Sequence, residues 1–133
     1  MIRKVLCNIA FAVAGALCFT GAAQATETTI CSGDGASISL LMGATPVVSI
    51  AKADMEAGTR RWSTRQEDGE TPILVGQAFE TSEILHVDIT DDNVSEILAR
   101  LRVYKASEGD FYAAGGTLWI SGAGAWAVNC SGP

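Results

Sequence analysis

Cys31 and Cys130 bracket nearly the whole domain that this chain encodes, so joining them forces the first and last elements of any fold to meet. Their pairing follows from what precedes them. Met1-Ile2-Arg3-Lys4 is a short basic stretch, an apolar run of about 15 residues extends from Val5 to Phe19, and Ala23-Gln24-Ala25 follows. That is the layout of an export signal with a small-x-small peptidase site. The run is shorter than the ~20 residues a bilayer-spanning helix needs, so no membrane span is expected. Residues 1–25 are expected to be cleaved, taking Cys7 and Cys18 with them and leaving one domain at 26–133. Lipid attachment at Cys18 is the minor alternative, disfavoured because Leu17 is not the small residue such processing requires. Two cysteines left in an oxidising compartment, periplasmic or extracellular, have one intramolecular pairing.

Cleavage also removes Arg3 and Lys4, leaving seven basic against fifteen acidic residues, a net charge of −8. Nucleic acid and anionic membranes need a basic footprint, so neither is an expected partner. A basic protein is the macromolecule such a charge would attract.

The hydropathy pattern is that of strands. Ile38, Leu40 and Met42 alternate on one face, Val47–Ala51 is a second candidate, and Leu85, Val87 and Ile89 alternate against His86 and Asp88. Asp68-Gly69 signals a hairpin, and Pro72 places the next strand, Ile73 to Phe79, near an edge or starts it. Thr117–Ile120 and Ala125–Cys130 flank a Ser121–Gly124 turn, with Trp126, Val128 and Cys130 on one face. Val94, Ile97, Leu98 and Leu101 fall at helical spacing behind a Thr90 cap and early acidic residues, which predicts one short helix at about 91–101. The expected architecture is mainly β: a small antiparallel sandwich or barrel of six to eight strands, one short α-helix and one disulfide.

Most catalytic chemistry lacks its parts. His86 and Asp88 share a strand face, but no Gly-x-Ser-x-Gly elbow supplies a nucleophile, so the pair reads as solvated surface. Asp88, Thr90 and Asp92 open like a calcium loop, yet Asn93 and Ala99 occupy the positions that need Gly and Glu. With both cysteines bridged, one histidine builds no zinc site. Gly33-Asp34-Gly35 and Gly115-Gly116 read as turns rather than phosphate cradles. Trp126 is expected in the core, while Trp62, among arginines, could equally line a ligand cleft. No cofactor is expected.

The C-terminal third carries a more specific pattern. Ala106-Ser107-Glu108-Gly109-Asp110-Phe111-Tyr112, then Gly116-Thr117-Leu118-Trp119-Ile120-Ser121-Gly122, then Ala125 and Cys130, resembles the inhibitors of c-type lysozyme. These are small exported or lipid-anchored proteins of Gram-negative bacteria. The resemblance implies an antiparallel β-barrel bridged from its first strand to its C-terminus. It also implies a Ser-Gly loop ending in Tyr, here Ser107, Gly109 and Tyr112, that enters the lysozyme cleft. Glu108 interrupts the Ser-Gly step, and Ser121 stands where the family has an assisting Lys. Lys105 is the cation that could replace it. The expected function is thus a periplasmic, non-enzymatic binding protein of lysozyme-inhibitor type. The alternatives are an envelope protein with a structural or interaction role, or a barrel that binds a small molecule near Trp62 or Trp119.

Overall fold

The computed structural model describes residues 26–132, so the export signal with Cys7 and Cys18 lies outside the described residues. Nine strands close into one barrel in chain order. They are β1 (Glu27–Ser32), β2 (Ala36–Gly43), β3 (Ser49–Ala57), β4 (Arg60–Ser63), β5 (Thr71–Glu80), β6 (Ile84–Asp91), β7 (Ile97–Glu108), β8 (Phe111–Ile120) and β9 (Gly124–Ser131).

Closure depends on one exception to the meander. Nine strictly alternating strands would bring β1 and β9 together parallel. β4 and β5 pair in parallel, however, through Trp62↔Thr71 and Ser63↔Pro72, and that single step restores an antiparallel β1–β9 seam. The ladder is so short that residues 64–70 suffice to carry the chain back without the helical crossover parallel strands usually need. Asp68-Gly69 lies in this connection, as a Glu67–Glu70 turn with Gly69 at φ 82°, and not in the hairpin its sequence suggests. Pro72 is the second residue of its strand, which begins at Thr71.

The seam is where the disulfide sits. Cys31 and Cys130 are direct register partners, Cα atoms 4.0 Å apart across a sequence separation of 99. The bridge therefore closes the ring at the join between its two ends. Strand directions put the start of β1, the end of β9 and the β7–β8 turn at one end of the barrel. The β1–β2, β6–β7 and β8–β9 turns lie at the other.

A barrel of this size is just wide enough for side chains to fill. Ile38, Leu40, Met55, Ile73, Leu85, Val87, Ile89, Leu101, Val103, Leu118 and Ile120 do so, all buried. Trp62 belongs to this core at 3 % exposure, and Trp126 packs against its margin. Gly115-Gly116 is no turn: it lies within β8, where a side chain at Gly116 would strike the β7 backbone.

The helix expected at 91–101 does not form. Residues 97–108 are strand β7, with Ala99, Leu101 and Val103 buried and Arg100 and Tyr104 exposed, a period of two. Leu101 fits both periods; pairing with β6 and β8 on either side decided for the strand. Thr90 caps nothing, its hydroxyl donating to the Asp91 carbonyl, and Asp91 closes a turn instead. Asp91 accepts hydrogen bonds from the Ser95 hydroxyl, the Ser95 N–H (2.6 Å) and the Glu96 N–H (3.1 Å). Val94 there takes φ 56°.

Two carboxylates stabilise the fold in a pH-dependent way. The Ser95 hydroxyl and the Glu96 N–H hold the exposed Asp91 below the ordinary 3.8. Partial burial raises Asp54, but bonds from Lys52 and Ser63, with the nearby charge of Arg65, bring it below 3.8 as well. A depressed folded-state pKa gives stability that is present above the unfolded value and lost as pH falls through the folded one. Denaturant midpoints are accordingly expected to hold down to about pH 4 and then drop. The variant Asp54→Asn should flatten that drop; an unchanged acid limb in this variant would remove Asp54 from the account.

Candidate functional site

The ladder between β7 and β8 outruns its neighbours. It continues through Lys105↔Ala114, Ala106↔Ala113, Ser107↔Tyr112 and Glu108↔Phe111. The β6 ladder begins only opposite Tyr104, and the β9 ladder stops at Asn129, opposite Gly115. Residues 106–113 therefore form a two-stranded arm beyond the barrel wall, every one of them exposed. Phe111 and Tyr112 are 82 % and 50 % exposed, and Tyr104 at the base is 66 % exposed. Three large aromatics displayed this way are what an interaction surface spends and a monomeric surface ordinarily avoids.

The arm's shape follows from its turn. Residues 107–110 are not the open loop the sequence suggested: β7 runs to Glu108, and Gly109-Asp110 makes a two-residue turn. Gly109 at φ 59° takes the sign a II′ hairpin turn requires at its first position. That geometry makes Glu108 and Phe111 a hydrogen-bonded pair and points the Ser107 and Tyr112 main-chain groups outward. The same parity sends the Lys105 N–H outward, where it donates to the Glu83 carbonyl at 2.7 Å. Alternation also sorts the side chains. Lys105, Ser107 and Tyr112 share the face continuous with the barrel interior, and Tyr104, Glu108 and Phe111 share the opposite one.

Among the expected site residues, Ser107, Gly109 and Tyr112 are thus brought together at the arm's tip. Lys105 is near them in register but is engaged elsewhere: its Nζ lies 2.5 Å from Glu80 Oε1 and 3.4 Å from the Thr81 carbonyl. Ser121 is not part of the constellation. It begins the β8–β9 turn at the other end of the barrel, where its N–H donates to the Leu98 carbonyl at 2.8 Å. It lies nine residue steps from Tyr112, roughly 30 Å at strand rise. Sequence reasoning missed Phe111 and Tyr104. Their signal was alternation carried past Val103, legible only once 97–108 is read as a strand.

The discarded candidates remain separate. Asp88 is taken by Arg102 (2.7 Å) and is not available to His86, whose ring meets Tyr104 edge-on at 6.4 Å. The Thr90 hydroxyl donates to the Asp91 carbonyl, so Asp88, Thr90 and Asp92 form no ligand set. Among the described residues no His, Cys, Asp and Glu cluster could hold a metal ion. Trp119 lies on the outer wall beneath the Arg100 guanidinium, 5.2 Å from the ring centre. The site is therefore an aromatic arm on a filled barrel. No protein-family model, curated protein or solved structure matches this chain.

Proposed function

We propose that this chain is an exported, non-catalytic binding protein that docks the β7–β8 arm into a cleft of a basic protein, with c-type lysozyme as the specific partner. The observation that supports this reading is the arm itself: eight exposed residues ending in a tight turn, with aromatics on both faces. A rigid hairpin loses little freedom on binding, and Tyr and Phe give large contact area for few rotors. Glu108, which would repel carboxylates in a lysozyme cleft, lies on the face away from Ser107 and Tyr112. The neutral Ser107–Tyr112 face is then the one that meets the cleft, and the net negative charge steers the encounter.

The test is titration of the exported form into c-type lysozyme while cell-wall lysis is followed. Inhibition is expected, with Tyr112→Ala weakening it by about 10-fold or more, as for a buried aromatic anchor. Undiminished lysis at excess protein would rule out lysozyme. Capture of an envelope protein in its place, lost in Tyr112→Ala, would keep the arm and replace the partner.

A further inference from the structure

A cleft lies on the opposite wall of the barrel, where the meander breaks. The 64–70 connection folds back over the outer face of β2, β3 and β4 and leaves a cleft of about 270 Å³ beneath it. Ser37, Glu56, Arg61, Trp62, Arg65 and Glu70 line this cleft. The connection is fastened down. Ser63, fully buried, donates to Asp54 (2.6 Å) and accepts from the Arg65 N–H (3.1 Å), and Thr64 bonds both main-chain groups of Ala53. It also holds Gln66 at φ 54°, a conformation non-glycine residues rarely adopt and one that tends to gather at binding sites.

The polar groups of the cleft are unevenly satisfied. Glu56 receives the Ser37 hydroxyl at 3.3 Å, and Asp54 has Lys52 and Ser63. Glu70 Oε2, by contrast, is enclosed and accepts no hydrogen bond among the described residues. A buried carboxylate oxygen without a donor is costly, and such groups call for a specific reason. The two guanidiniums are loosely held: Arg61 Nε is 3.8 Å from Glu56 and Arg65 NH1 is 3.6 Å from Glu67. Neither side chain makes a hydrogen bond among the described residues. One cleft thus offers an unmet, negatively charged acceptor beside two undercommitted planar cations suited to carboxylate.

From this juxtaposition we infer that the cleft binds a small zwitterion, its ammonium on Glu70 and its carboxylate on Arg61 and Arg65. A free amino acid or the two termini of a short peptide has that chemistry. The volume, just under the ~300–1,000 Å³ of drug-sized pockets, restricts the ligand to that scale. Trp62 closes the inner wall and reports occupancy.

The experiment is NMR titration of the labelled exported chain with four probes: L-alanine, L-alanyl-L-alanine, ethylamine and propionate. Either alanine or the dipeptide is expected to shift the Trp62 indole and Glu70 amide signals, and which of them does so sets the charge separation the cleft accepts. Ethylamine and propionate should each bind at least about 10-fold more weakly, since each keeps one charge-assisted contact of two. Glu70→Gln and Arg61→Gln should each cost a similar factor, and both side chains have exposed parts, so the variants should fold. The proposal fails if neither alanine nor the dipeptide moves those signals at about 10 mM, ten times a weak Kd of ~1 mM. It fails equally if ethylamine binds as well as alanine, or if Glu70→Gln leaves affinity unchanged.

Discussion

Protein carrying Cys31→Ala and Cys130→Ala is expected to lose up to about 4.7 kcal/mol of stability, the chain-entropy value for opening a loop of roughly 100 residues. That is a large part of the 5–15 kcal/mol a domain ordinarily has. The location of the bridge makes the loss specific. The β1–β9 seam has three register pairs, Ile30↔Ser131, Cys31↔Cys130 and Ser32↔Asn129, and the disulfide is the middle one. Without it the ring is closed only by short main-chain pairing, and opening of that pairing would leave β1 as an edge. Guanidinium melts should show the midpoint falling, and hydrogen exchange should show residues 27–32 and 129–131 losing protection before the rest. A double variant within about 1 kcal/mol of the parent would mean that the denatured chain already keeps its ends together.

The second large effect is expected from one methyl group. A Cβ at Gly116 would lie 1.8 Å from the Arg102 carbonyl oxygen, 2.8 Å from its carbon and 3.0 Å from the Val103 Cα. All three are backbone atoms of β7, so no side chain can rotate away. Gly116→Ala must push β8 off β7 along the longest ladder in the barrel, at about 3 kcal/mol or more, the upper range for overpacking. Because Gly116 sits at the base of the arm, the displacement should also reach Tyr112. Thr117→Ala, on the exposed side of the next residue, is the control and should change stability by no more than about 0.5 kcal/mol. Equal melting of both variants would contradict the close approach of the two strands.

Much of the barrel was legible because its strands alternate cleanly. Ile38, Leu40 and Met42 in β2 and Leu85, Val87 and Ile89 in β6 are inward as their spacing required. The cysteine pairing followed from counting. The helix failed where two periods overlapped: Ile97, Leu98 and Leu101 suited a helical stripe, but Ala99, Leu101 and Val103 were the buried set. What separates the two readings is partnership across space, which local spacing does not carry. The parallel β4–β5 contact was hidden for the same reason, since two residue pairs leave no periodic mark. The tip of the arm was visible as Ser107-Glu108-Gly109-Asp110, but its length was not. That length is set by where β6 and β9 stop, so it belongs to other segments of the chain. The same holds for Ser121, grouped with Tyr112 by the resemblance alone, which gave no warning that β8 would carry it to the far end.

The directions of the strands also govern how this molecule can be held. Glu27 at the start of β1 and Ser131 at the end of β9 lie at the same end of the barrel as the Gly109-Asp110 turn. A bead, sensor chip or fusion partner attached through either terminus would crowd the arm and mask whatever it recognises. Attachment through a cysteine-free linkage at Thr59 or Ala123, in turns at the opposite end, would leave the arm facing solution.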